Sequence, residues 1–157
     1  MHIREMRPDD REFILALTER LEGVGSPPWR DPDKMREFHK HYAEETVGAS
    51  ADDQAVYIAH VESRERLGFI HVLEINDGLT GEREAYVATL AVTAAASGRG
   101  IGRALMDRAE QWTRDRGLTI VTLEVFAQNE GARRFYDRLG YQEETLKLVK
   151  VLSTSPD

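Results

Sequence analysis

The reading of the fold turns on residues 90–106, LAVTAAASGRGIGRALM. Apolar residues lead through a string of small ones into Gly98, Gly100 and Gly102, and then into an amphipathic run. Glycines between a strand and a helix let the backbone turn through positive φ and approach a ligand closely. Spacing excludes two phosphate loops. A dinucleotide fingerprint needs Gly-x-Gly-x-x-Gly, and its third glycine falls on Arg103 in one frame and on Leu105 in the other. A Walker loop needs Gly-Lys-Ser/Thr, which is absent. What remains is a row of free N–H groups at the positive end of a helix, with Arg99 and Arg103 beside it, a combination suited to a pyrophosphate. For the glycines alone, a tight strand-to-helix turn without a ligand is the plainer alternative.

Working outward, residues 85–92 (AYVATLAV) predict a strand, as do 55–61 (AVYIAHV) and 66–75 (RLGFIHVLEI), joined by polar turns. Residues 3–6 predict a short first strand. The run from Arg11 puts Phe13, Ile14, Leu17 and Leu21 on one helical face and is broken by 23–32 (GVGSPPWRDP); a second helix follows with Met35, Phe38 and Tyr42 on its apolar side. After the glycines, Leu105, Met106, Ala109 and Trp112 line a helix that stops at Gly117. Residues 118–126 (LTIVTLEVF) predict a strand. The next helix is capped by Asn129 and stopped by Gly140; a last strand is expected over 141–152 and a frayed tail over 153–157. The order predicts one domain over 1–157, an α/β fold with a mixed, mostly antiparallel sheet flanked by helices.

The chain has 157 residues, a net charge of −7 and no cysteine. Thiolate metal sites and a cysteine acyl-enzyme are therefore excluded. No apolar run approaches the ~20 residues of a membrane span, and the N-terminus has no apolar core of a signal peptide, so a cytoplasmic protein is expected. Residues 1–78 hold 17 acidic and 10 basic side chains, against 11 of each in 79–157. That balance disfavours nucleic-acid binding, which needs concentrated Lys and Arg. It reads either as a solvated surface or as a face for a cationic substrate.

The strand, glycine loop and helix resemble the acetyl-CoA-binding segment of the GNAT N-acetyltransferases, whose loop runs Gln/Arg-x-x-Gly-x-Gly/Ala; here it is Ser97-Gly98-Arg99-Gly100-Ile101-Gly102. Ser97 departs from the usual Arg or Gln, and Ala94 from a frequent proline. A second segment, LEVFAQNEGARRFYDRLGY, resembles the family's next strand and helix, with Asn129, Ala132, Arg133, Phe135, Tyr136, Gly140 and Tyr141 at the expected offsets. The resemblance is specific over 85–142 and topological before that.

The resemblance implies acetyl-CoA as cosubstrate, no metal, and direct attack by a primary amine in a ternary complex. It implies that the strand at Leu90, Ala91 and Val92 splays from residues 123–126 and offers backbone to the pantetheine arm. The pyrophosphate is then expected on Gly98, Arg99, Gly100, Ile101, Gly102 and Arg103, with Asn129 holding the arm and capping its helix. Tyr136 is the expected catalytic acid, since a phenol with a pKa of ~10 is neutral at pH 7; Phe135 should face the core. The general base is open. Members of the family often carry a carboxylate where Ala88 and Thr89 stand here, so Glu84 is taken as the base, with Glu74, His71, Glu124 and a water chain as alternatives. Trp29, His71 and Glu74 are the substrate-side candidates. The acceptor is a small-molecule or peptide amine, with a cationic one favoured by the charge of the first half. A homodimer is an arrangement the family allows. The rival reading is a catalytically silent acyl-CoA-binding module.

Overall fold

The computed structural model describes residues 1–21, 24–63 and 65–152. The expected helix end at Glu22 and Gly23, Arg64 of a hairpin turn, and the tail 153–157 lie outside them. Strand β1 (His2–Glu5) leads through a 3-10 turn (Pro8–Asp10) into α1 (Arg11–Arg20) and α2 (Pro32–Gly48). Strands β2 (Gln54–His60), β3 (Arg66–Asn76) and β4 (Arg83–Val92) follow, then α3 (Ile101–Asp115), β5 (Val121–Thr122) and α4 (Glu130–Arg138). The sheet order is β1-β2-β3-β4-β5. The first three pairings are antiparallel and β4–β5, bridged by α3, is parallel. This is the mixed, open, helix-flanked sheet that the sequence predicts. Among the described residues no helix is long and apolar enough to cross a membrane.

Alternation along the strands divides the core into two layers. Leu105, Met106, Ala109 and Trp112 of α3 pack with Tyr57, Ala59, Ile70, Val72, Ala85 and Val87. On the other face, Ile14 and Leu17 of α1 pack with Val56, Ile58, Phe69 and Ala91, while Phe13 and Leu21 are partly buried at the margin. Gly68 lets β3 and β4 close up, since a Cβ there would lie 2.5 Å from the Ala91 carbonyl oxygen.

Buried Asp10 ties β1, α1 and β3 together. It accepts hydrogen bonds from Arg4 Nη1 and Nη2 (2.6 and 2.9 Å), from Arg66 Nε (2.6 Å) and from the Arg7 amide (2.7 Å). Burial alone would raise its pKa, but these donors outweigh it and hold the carboxyl well below the usual range.

Three expectations need correction. Helix α2 buries Ala43 and Thr46, whereas Phe38 is 48% exposed and stacks on Tyr42, with ring centroids 4.6 Å apart. The strand expected over 118–126 pairs only at Val121 and Thr122. The strand expected over 141–152 joins no sheet, and its Leu146 and Leu148 are exposed. Periodicity marks these residues as extended, but pairing depends on where distant backbone lies.

Candidate functional site

Strand β4 ends at Val92, and a 3-10 turn (Ala94–Ala96) carries the chain to the glycines. Gly98 and Gly100 have φ of +74° and +78°, Gly100 being the N-cap of α3. A Cβ at either would meet nothing within 4 Å, so what demands glycine there is the left-handed backbone. Among the described residues, the amides of Gly98, Gly100, Ile101, Gly102 and Arg103 have no backbone acceptor. Arg99 and Arg103 are exposed and enter no ion pair there. Free donors, the positive helix end and two uncommitted guanidiniums fit a phosphate-bearing ligand in open space.

Beside this loop the sheet opens. The β4–β5 ladder consists of Ala85–Val121 and Tyr86–Thr122, beyond which β4 runs on to Val92 without that neighbour. The splay expected between 90–92 and 123–126 is therefore present, and it begins earlier than those residues. A bulge accompanies it: His71 pairs with Thr89 and Val72 with Val87, leaving Ala88 as the extra residue. On the far side of the wedge stands α4, capped by Asn129, whose Oδ1 accepts from the Ala132 amide at 3.1 Å. Gly25 (φ +71°) abuts this cap, since a Cβ on it would lie 2.7 Å from Asn129 Cβ. Phe135 and Tyr136 both pack against the α3-side core. Burial pushes the Tyr136 phenol up to about 12, so it is neutral and holds its proton.

A groove of about 740 Å³ opens on the α2 face, lined by Tyr42 and Glu45 of α2, His71 of β3, Tyr86 and Ala88 of β4, and Glu124. His71 is 4% exposed, with Nδ1 3.1 Å from Thr46 Oγ1 and Nε2 2.9 Å from Gln54 Oε1. Burial pushes its pKa down to about 4, opposed by the nearby Glu45, so the imidazole is neutral at pH 7. Burial also raises the Tyr86 phenol, with Tyr42 and Glu124 adding to the effect.

The structure separates several residues that the sequence grouped. Glu84 lies in another cavity, of about 280 Å³, with Asp77, Arg83 and Thr119, and it accepts a hydrogen bond from Thr122 Oγ1 at 3.0 Å. Six residues along β4 set it roughly 20 Å from Leu90. Glu74 is ion-paired with Arg83 and, at 3.4 Å, with Arg116, which caps the C-terminus of α3. It is thereby placed toward α3, away from the groove that His71 lines. Trp29 is 42% exposed and is not a groove residue. His71 and Glu124 do meet in the groove. Tyr42, Glu45 and Tyr86 carry no mark in the sequence as site residues, because nothing local shows that two helix positions and a strand position face one another.

The family model described as "Acetyltransferase (GNAT) family" matches residues 16–141. A mycothiol acetyltransferase of Rhodococcus jostii is 32% identical over 117 residues, which are 71% of this chain and 37% of that protein. The chain spans between 26% and 37% of the length of several curated relatives it matches. Among solved structures, a putative acetyl transferase from Pyrococcus furiosus superposes with a TM-score of 0.73 at 23% identity, covering 96% of this chain and 99% of that one. AAC(6')-Iy in complex with the bisubstrate analog CoA-S-monomethyl-acetylneamine gives 0.71 at 20% identity, covering 97% and 98%. The splayed strands, the glycine loop and the match across most of the chain agree: the chain belongs to the GNAT family of acetyltransferases.

Proposed function

We propose that the protein transfers the acetyl group of acetyl-CoA to a primary amine by direct attack. The reading rests above all on the wedge beyond Tyr86–Thr122, which has the free amides of Gly98 and Gly100 to Arg103 at one end and the neutral phenol of Tyr136 on its α4 side. When bound, acetyl-CoA supplies an activated acetyl carbon and a thiolate leaving group. The amides of Gly98 and Gly100 to Arg103, with the Arg99 and Arg103 guanidiniums, would hold its pyrophosphate. The unpaired edge of β4 at Leu90–Val92 would take the pantetheine arm beside Asn129. The amine nitrogen bonds to the acetyl carbon as the carbon–sulfur bond breaks. Tyr136 Oη holds the proton that the departing sulfur needs. The proton shed by the amine passes to Glu124 or to water held by it, because Glu124 lines the groove beside the wedge whereas Glu84 does not. His71, neutral and fixed by Thr46 and Gln54, shapes the groove wall. The solved bisubstrate complex, a CoA joined to an acetylneamine, supports an acceptor of small-molecule amine type for this chain as well.

The test is thiol release from acetyl-CoA over a panel of primary amines. Tyr136→Phe is expected to lower kcat by roughly 10²–10⁴-fold, the usual worth of a general acid, with KM for acetyl-CoA within a few-fold. An unchanged kcat would remove Tyr136 from the role. Tight CoA binding with no amine acetylated would favour the silent module instead.

A further inference from the structure

We propose that the groove selects acceptors that carry a second cationic group: a primary amine enters at the Glu124 end while an ammonium or guanidinium further along the same molecule is held by Glu45. This rests on the acetyltransferase reading above and gives that reading a substrate class.

The charge balance of the walls is the first argument. The groove is lined by two carboxylates and by no Lys or Arg among the described residues. Its one histidine is buried and neutral, so nothing cationic offsets the carboxylates. Glu124 enters no ion pair among the described residues. Among the described residues Glu45 pairs only with His41 of its own helix, with Nε2 at 3.3 Å, and both side chains are more than half exposed. One free carboxylate and one held only by an exposed histidine of its own helix give the groove a potential that rewards positive charge and repels a carboxylate-bearing molecule.

Placement is the second argument. Glu124 comes from the segment that leaves β5 where the wedge opens, so it serves the reacting nitrogen. Glu45 stands on α2, close enough to His71 of β3 to act on its protonation. From β3 to β5 is two strand spacings, on the order of 10 Å, at the last rung Tyr86–Thr122, two residues before Glu124. A chain of about six carbons between two nitrogens fits that separation. Tyr42 and Tyr86 line the same groove, with Tyr42 and Glu124 both acting on the Tyr86 phenol, and exposed Phe38 packs on Tyr42. Those faces suit a methylene chain and a cation above them. An acceptor with a single charge fills only one end.

The test uses three acceptors of one chain length that differ only in the far group: 1,6-diaminohexane, hexylamine and 6-aminohexanoate. The expected order of kcat/KM is diamine, then hexylamine, then the amino acid, with at least tenfold between the first two, well above the statistical factor of about two for two amino groups. In Glu45→Gln the three should fall to within about threefold of one another, the loss for the diamine appearing in KM. Glu45→Lys should place 6-aminohexanoate above the diamine. Glu45 is exposed, so both variants retain the fold. Equal use of the three acceptors by the parent protein, or an order that survives Glu45→Lys, overturns the proposal while leaving amine acetylation intact. Should none of the three be acetylated, the amine panel above decides the acetyltransferase reading, and calorimetric binding of the same three molecules decides the groove. Diamine binding at least fivefold tighter than hexylamine, lost in Glu45→Gln, upholds the two-cation groove; equal binding ends it.

Discussion

Replacing His71 by Gln isolates the energetic consequence of a buried neutral imidazole. An unfolded histidine titrates near 6.5, whereas burial pushes the folded His71 down to about 4. Between those values the unfolded chain binds a proton that the native state refuses, so stability is fully present above pH 6.5 and is lost as pH falls toward 4. The slope approaches about 1.4 kcal/mol per pH unit, which gives a loss of about 2 kcal/mol by pH 5 and about 3 in all. His71→Gln keeps a hydrogen-bonding side chain beside Thr46 and Gln54 but has nothing to titrate. Urea unfolding of both proteins from pH 7.5 to 5 should show the difference in their stabilities shrinking by about 2 kcal/mol, at constant m-value. A difference that stays level within about 0.5 kcal/mol, or an imidazole that titrates near 6.5 by NMR, would refute the reasoning.

Asp10→Asn should cost about 3 kcal/mol in urea unfolding, because it leaves the Arg4 and Arg66 guanidiniums facing a neutral group at a buried site; a cost below 1 kcal/mol would show that the cluster is not a stabilising joint. Leu148→Lys should change stability by less than about 0.5 kcal/mol, since Leu148 is 90% exposed. A loss above 1.5 kcal/mol would mean that the terminal segment packs against the body of the protein.

What could be read from the sequence is what local chemistry decides. Positive φ at Gly98 and Gly100, the caps at Asn129 and Gly140, and the apolar face of α3 each depend on a few neighbouring residues, and the structure has them as expected. The groove was harder to read because its parts meet from far apart. His71 is held by Thr46, 25 residues away, and by Gln54, 17 away. Glu74 falls on the opposite face of β3 from His71 by simple alternation and is drawn to Arg83 and Arg116, while Glu84 sits at the far end of β4 from the wedge. In α2 the bulky side chains predict a buried face, but the residues that point inward are Ala43 and Thr46, the latter in hydrogen-bond contact with His71 of β3, and Phe38 is left outside.

Gly102 differs from the two glycines before it. Where Gly98 and Gly100 look onto open space, a Cβ on Gly102 would lie 3.2 Å from Phe135 Cζ, next to Tyr136 in the chain. The helix that presents the anion cradle and the helix that presents the phenol therefore rest on each other through a single missing methyl group. On the function proposed above, small-residue tolerance at this position gauges the spacing between the loop that would hold the cofactor and Tyr136. A methyl here needs the Phe135 ring to give by a few tenths of an ångström, and a larger residue presses harder on the contact between the two helices, even with every polar contact of the loop still in place.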